Sequence, residues 1–251
     1  MELVKMLEVI WGKGYMAPGR AGNVKKMLEG IPTAGKNILD IGSGLGGPAI
    51  DMVIKHRAQV TGIDLEHQLV EHAKQLAKEN GILIGCEFQH VQPGKLDFDD
   101  NSFDIVTSSG ALTQTENKFD LLQEIYRVLK PGGWLSAYDW MKIDGDYSSD
   151  MLYWFKTEGL TYAMVTQNEQ NKTLLKAGFV SIASQDATDW YQTKAQLEYE
   201  QIRGKLYPQL VNELGRDETD EFVENWRALT TVLNQKEMRT VYTRAQKPHF
   251  N

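Results

Sequence analysis

Two hydrophobic patterns take turns along the chain: short apolar runs closed by glycine, and polar stretches carrying an apolar stripe at helical spacing. Leu3, Met6, Leu7, Ile10 and Trp11 recur every third or fourth residue, which predicts a short amphipathic helix at the start. Gly12, Gly14, Pro18, Gly19 and Gly22 break it, and Val24 to Leu28 reads as a second helix ending near Gly30-Ile31-Pro32. Asn37-Ile38-Leu39-Asp40-Ile41-Gly42 is an apolar run, as a parallel strand buried on both faces would be. A helix should follow from Pro48 to His56, with proline in its first turn. The alternation then repeats: strand Gln59 to Ile63, helix Glu66 to Glu79 stopped by Asn80-Gly81, and strands Ile84 to His90 and Phe103 to Ser108. Phe119 to Leu129 is a helix ended by Lys130-Pro131-Gly132-Gly133, and Trp134 to Tyr138 is a fifth strand.

Strands alternating with helices of about 10–15 residues mean βαβ units. After Asp139 the rhythm changes. Residues 150–176 look helical, Phe179 to Ser184 looks like a strand, and 190–213 and 218–236 look like two further helices. Met238 to Ala245 alternates apolar and polar positions as a last strand. The expected fold is α/β: a Rossmann-like doubly wound sheet of about seven strands, mostly parallel with the last strand antiparallel. A helical lid is inserted before that last strand.

Composition narrows the function classes. The chain has 27 Lys+Arg against 34 Asp+Glu, a net charge of −7, and no basic run longer than Lys25-Lys26, which argues against a nucleic-acid partner. No stretch approaches the roughly 20 apolar residues of a membrane span. The first residues lack the basic-then-apolar order of a signal peptide. Cys86, the one cysteine, can form neither an intramolecular disulfide nor a CxxC metal site, and reads as a small buried apolar residue. A cytoplasmic protein without a metal centre is expected.

The sharpest local signal is Asp40-Ile41-Gly42-Ser43-Gly44-Leu45-Gly46-Gly47, with Asp64 closing the next strand. Glycines at a strand-to-helix turn let the backbone approach a ligand closely, and an acid about 20 residues on can accept both hydroxyls of a ribose. Gly42, Gly44 and Gly47 also satisfy GxGxxG, so a dinucleotide is the competing ligand. Asp40 speaks against it, because a pyrophosphate would meet its charge at close range. A ligand with an ammonium and a sulfonium would be attracted there, and S-adenosylmethionine is such a ligand. The first strand also starts late for a dinucleotide fold, with 36 residues before it.

Two later segments join the argument. Asn101-Ser102-Phe103-Asp104-Ile105-Val106, then Tyr126-Arg127-Val128-Leu129-Lys130-Pro131-Gly132-Gly133-Trp134-Leu135, resemble the fourth strand, helix and fifth strand of the class I S-adenosylmethionine-dependent methyltransferases. Trp11-Gly12-Lys13-Gly14-Tyr15-Met16, DIGSGLGG, Ala137-Tyr138-Asp139, Asp189-Trp190-Tyr191 and Tyr242-Thr243-Arg244-Ala245 resemble, more narrowly, the phosphoethanolamine N-methyltransferases. The resemblance implies S-adenosylmethionine as cofactor and S-adenosylhomocysteine as product. It implies that Tyr15 and Met16 close over the methionine end, that Asp40, Gly42 and Gly44 hold the amino-acid part, and that Asp64 takes the ribose. Leu65 would pack on the adenine and Gln92 accept its amino group, with Ser108 completing the set. The division it implies is one domain over 1–251: cap helices in 1–35, a cofactor core in 36–138, and lid helices in 139–176 and 187–236.

The substrate residues of that family fit less well. The active-site histidine aligns with Gln114, an aspartate four residues earlier with Gly110, and a substrate tyrosine with Trp140. The phosphate-binding arginine and lysine align with Leu160 and Leu229, while one lid tyrosine is kept as Tyr162. Arg227 is the nearby cation that could substitute. Gln114, Trp140 and Tyr162 are therefore the candidate catalytic residues, in a site walled by Trp140, Trp154 or Tyr153, and Tyr162. The plain reading of Trp154 and Trp226 is lid core. Of the histidines, His56, His67 and His72 read as solvated, His249 lies in the tail, and His90 ends a strand on the adenine side. Methyl transfer to an amine nitrogen without a strong general base is the expected chemistry. Transfer to a phenolic or other hydroxyl, and a catalytically silent S-adenosylmethionine-binding module, are the alternatives. Methylation of arsenite would need several thiols.

Overall fold

The computed structural model describes residues 2–160 and 162–249, with the side chains of Glu2, Leu3 and Lys5 (the first apolar position of the predicted opening helix among them) outside the described residues. Seven strands are present: β1 (Asn37–Ile41), β2 (Gln59–Asp64), β3 (Cys86–His90), β4 (Phe103–Ser109), β5 (Leu129–Lys142), β6 (Val180–Asp186) and β7 (Met238–Gln246). The helices are α1 (Glu2–Trp11), α2 (Arg20–Met27), α3 (Gly47–His56), α4 (His67–Glu79), α5 (Ala111–Gln114), α6 (Lys118–Val128), α7 (Ser149–Glu158), α8 (Gln167–Lys176), α9 (Thr188–Arg203), α10 (Tyr207–Leu214) and α11 (Arg216–Asn234).

The strands form one sheet in the order β3-β2-β1-β4-β5-β7-β6, parallel except for β7, which runs antiparallel to both neighbours. This is the expected doubly wound fold. The period of two along β1 divides the core between the sheet's faces. Ile38 packs with Val24, Ala49, Val70 and Ile105 on one face, while Leu39 and Ile41 pack with Val106, Leu122, Ile125 and Leu135 on the other. Cys86 is a free, buried thiol whose pKa burial pushes up to about 12, in keeping with an inert apolar role.

Several boundaries differ from the sequence expectation; β5 starts at Leu129 rather than Trp134 and takes in the expected stop Lys130-Pro131-Gly132-Gly133. The helix expected over 150–176 is two, because Gly159 ends α7 in the left-handed region (φ 70°) and Thr166 and Glu169 form a capping box that starts α8. The helix expected over 190–213 is likewise split into α9 and α10 around Gly204. The strand expected from Ile84 starts at Cys86, and Ile84 stands 96% exposed ahead of it. The fifth strand runs past Tyr138 to Lys142, because β7 pairs with it continuously from Trp134↔Gln246 to Lys142↔Met238. The short α5 was not anticipated.

Candidate functional site

Reversal of strand order between β1 and β4 opens a crevice at the carboxyl ends of the strands, where α/β sheets bind ligands. Asp40 sits there, buried, and its Oδ1 accepts a 2.8 Å bond from Thr107 Oγ1 on β4. Burial pushes its carboxyl up to about 7, against the Thr107 bond, and the charge of Asp64 on the next strand raises it further. The turn after β1 is tied to β2, with Gly42 N and Ser43 N donating to Ile63 O at 2.9 and 3.0 Å. Asp64 receives Gly44 N on one oxygen and Glu66 N on the other, both at 2.9 Å, so the glycine turn and the start of α4 hold one carboxylate in place. Each of its oxygens keeps a second lone pair for a ligand hydroxyl.

The chain before α2 folds over this turn. Gly14 N donates to Glu8, Gly47 N donates to Gly14 O at 2.9 Å, and the Tyr15 hydroxyl donates to Asp51 on α3. Met16 thereby comes over the turn: a Cβ added at Gly44 (φ 52°) would lie 3.0 Å from its sulfur. A Cβ at Gly42 would lie 2.8 Å from that of Ala111, so a side chain there would close the crevice between the β1 and β4 turns. Of the predicted pair, Met16 faces the turn, while the hydroxyl of Tyr15 is taken up by α3.

The unused groups of this crevice suit an adenosyl sulfonium. Ser43 Oγ and Ser108 Oγ are buried there without a hydrogen-bond partner, and two carboxylates face each other from neighbouring strands. Leu65, next to Asp64, is 53% exposed, an apolar surface on the rim for a flat ring. Gln92 is exposed in the loop after β3. His90 is also exposed, its Nε2 3.0 Å from Leu65 O. These residues fit the group.

An aromatic wall is built from the turn after β4, the end of β5 and the helices between β5 and β7. Gln114 closes α5 and is exposed. Trp140 is stacked on Tyr191 at 6.0 Å and lies 5.8 Å from both Trp154 and Tyr162, which stack on each other at 5.0 Å. Two of the alternatives are decided differently. Trp154 is in the wall and fully buried, whereas Tyr153 turns outward and donates to Glu224 at 2.7 Å. Leu229 is buried against Trp154's cluster, Leu160 is exposed, and Arg227 lies on the outer face of α11 in a 2.6 Å pair with Glu224. Arg227 therefore does not take the place of the lost cations. His72, expected in solvent, is half-buried 3.3 Å from Glu8 because α1 packs there.

Residues 39–137 match a family model described as a methyltransferase domain. Over these residues the chain carries a methyltransferase domain, and it resembles the class I S-adenosylmethionine-dependent methyltransferases. Over 222 residues it is 28% identical to phosphoethanolamine N-methyltransferase 1 of Zea mays, covering 88% of this chain and 43% of that one. Over 204 residues it is 29% identical to the phosphoethanolamine N-methyltransferase of Plasmodium falciparum, covering 80% and 75%. Phosphoethanolamine N-methyltransferase 2 of Haemonchus contortus, solved with phosphomonomethylethanolamine and S-adenosylhomocysteine, superposes with a TM-score of 0.90 at 22% identity, over 98% of this chain and 57% of that one. The chain thus spans about half the length of the plant and nematode proteins.

Two further acids lie near the wall, Asp139 buried and Glu158 half-buried. Asp139 Oδ1 accepts Thr113 N at 3.1 Å and Thr113 Oγ1 at 3.2 Å, its Oδ2 has no partner, and burial lifts its carboxyl to about 6. Lys118, buried nearby, donates to Thr115 O and to Ala163 O, tying the β4 turn to the segment that carries Tyr162. Burial lowers its pKa, with Asp139 opposing. Glu158 at the end of α7 accepts Asn225 Nδ2 of α11 at 2.7 Å. A motif signal existed only for Asp139, within Ala137-Tyr138-Asp139. Among the described residues no helix is long and apolar enough to cross a membrane, and no cluster of three His, Cys, Asp or Glu could hold a metal ion.

Proposed function

We propose that this protein binds S-adenosylmethionine at the β1/β4 crevice and methylates the nitrogen of a small amine that is not a phosphobase. The carrying observation is the pair of carboxylates, Asp40 and Asp64, set around a glycine turn that no side chain could enter. When bound, the cofactor supplies a methyl group on a sulfonium, open to in-line displacement. Asp40 offers its charge to the ammonium end, Asp64 its free lone pairs to the ribose, and Leu65 its exposed face to the adenine. The apolar wall of Trp140, Trp154 and Tyr162 keeps water away from the transfer. With the cofactor bound, the acceptor nitrogen would take the methyl group, sulfur would keep the electron pair as a thioether, and the proton left on the new ammonium would pass to solvent. No strong base is required once the amine is in its neutral form, which carries the lone pair; an alkylammonium first gives its proton to solvent.

The phosphobase is set aside on the positions of Leu160, Leu229 and Arg227, none of which presents a cation to the wall. Calorimetry with S-adenosylhomocysteine, followed by a labelled-methyl assay over a panel of amines, phenols and phosphoethanolamine, tests the reading. Binding and transfer to amines are expected; no cofactor binding would overturn the whole, and ordinary turnover of phosphoethanolamine the substrate part. Binding with no transfer to any acceptor would leave the silent module. A second reading, transfer to a hydroxyl, rests on the unpartnered Oδ2 of Asp139, a buried carboxylate able to take a proton. It requires a rate that rises with pH through about 6 and is lost in Asp139→Asn.

A further inference from the structure

The candidate catalytic side chains Gln114, Trp140 and Tyr162 come from separate segments, yet each stands next to a member of one hydrogen-bond network. Gln114 lies between Thr113 and Thr115, Trp140 follows Asp139 near the end of β5, and Tyr162 precedes Ala163 between α7 and α8. Thr113 joins the first two: its amide and hydroxyl donate to Asp139 Oδ1, and its Oγ1 accepts Trp140 N at 3.0 Å. Ala163 N donates to Thr113 O at 2.9 Å and brings in the third.

Lys118 closes this network. It opens α6 but is 7% exposed, and its ammonium donates to Thr115 O at 2.7 Å and to Ala163 O. Lysine is seldom this buried, because withdrawing an ammonium from water is costly. The start of α6 does not call for it, since the Asn117 side chain already accepts Asp120 N there. Both of its hydrogen bonds go to main-chain carbonyls of two segments distant in sequence, and the charge of Asp139 supports the ammonium between them.

The same network reaches the glycine turn. Gly110 N donates to Tyr138 O at 2.9 Å, and Ala111 lies so close that a Cβ added at Gly42 would come within 2.8 Å of its own. The path from Gly42 to Tyr162 runs through Ala111, Thr113 and Ala163. A helix as short as α5 has little stability of its own, and residues 162–166 lie in neither helix nor strand, so both depend on their ties to neighbours.

We propose that Lys118 is a positioning residue for methyl transfer: it fixes α5 and the Tyr162 segment to one another, and with them the acceptor side of the site against the glycine turn. The inference rests on the methyl-transfer reading above. Without the ammonium two carbonyls lose their donor at once and the two segments separate. A misplacement of about 1 Å costs an aligned displacement on the order of 100-fold.

The test compares the unaltered chain with Lys118→Met, which keeps the stem but no donor, and with Lys118→Arg, which restores donors. In Lys118→Met, kcat with the best amine of the panel should fall about 100-fold, with a smaller change in KM. Affinity for S-adenosylhomocysteine by calorimetry should stay within about threefold, and Lys118→Arg should recover most of the rate. Amide exchange at Thr115 and Ala163 should quicken by about tenfold or more in Lys118→Met, while that at Gly44 and Glu66 stays unchanged. Thr113→Val, nearly equal in volume, is the second route if Lys118→Met does not fold, and should lower kcat by about tenfold at unchanged cofactor affinity. An unchanged kcat in a folded Lys118→Met, even with faster exchange, overturns the positioning role, as does a cofactor affinity that falls as far as the rate. If the unaltered chain transfers no methyl group to any acceptor, the methyl-transfer reading fails. The tie itself is then sustained by faster exchange at Ala163 in Lys118→Met and overturned by unchanged exchange.

Discussion

At the mouth of β1 and β2 backbone amides of the glycine turn and of α4's start hold Asp64, through Gly44 N and Glu66 N, and the Thr107 hydroxyl of the neighbouring strand holds Asp40. The aromatic wall draws Glu158 and Asn225 from helices 67 residues apart, and stacked rings fill it. The first region is a backbone site that tolerates few residue types, because glycines and a carboxylate at a strand end are needed for the ligand to approach. The second is a packed apolar layer in which exchanging side chains changes what is recognised without disturbing the sheet. The family-model match over residues 39–137 takes in the first region and stops short of the helices that build the second.

Four measurements would break or sharpen that contrast. The largest effect is expected in the wall: Trp154→Ala empties a fully buried ring and should destabilise the protein by about 3–5 kcal/mol in urea unfolding. A loss below about 1 kcal/mol would mean that the layer is not a packed unit. In the cofactor half, Asp64→Ala should leave stability less affected but weaken S-adenosylhomocysteine about 100-fold, roughly 2.7 kcal/mol, through its lost charged hydrogen bonds. Unchanged affinity would remove Asp64 from the site.

A third measurement follows from the carboxyl of Asp40, raised from 3.8 to about 7. A cationic ligand prefers its ionised form, so cofactor affinity should rise about tenfold from pH 6 to pH 8, with proton release below 7 seen as buffer-dependent heats. The same group acts in the opposite sense on stability of the free protein. Its folded form keeps a proton that the unfolded chain has lost, so this contribution falls as pH rises from about 4 to about 7. A flat affinity profile would show that Asp40 does not face the ligand's charge. The smallest effect belongs to Arg227→Ala: its exposed pair with Glu224 should cost under about 1 kcal/mol and leave transfer rates unchanged. A large rise in KM would put Arg227 back among the substrate residues.

The elements most legible in the sequence were those whose physics is local. Buried parallel strands such as Ile38-Leu39-Asp40-Ile41 are apolar on both faces and stand out as runs. The glycine turn was visible because positive φ at Gly42, Gly44 and Gly46 restricts those positions. The helices after β5 read as longer single helices in the sequence, although Gly159 and the Thr166–Glu169 box are local signals of the break. Length of β5 was out of reach, since its last residues are ordered by β7, about a hundred positions later.

By itself the sequence determined the sheet, the glycine crevice and the two carboxylates at its mouth, because hydrophobic period and glycine placement act over a few residues. Only the tertiary structure decided that Arg227 faces away, that Leu229 is core, and that Glu158 accepts a hydrogen bond from Asn225 across α7 and α11. Those facts depend on how α7 and α11 pack, and the direction in which a helix presents its side chains is set by its partners.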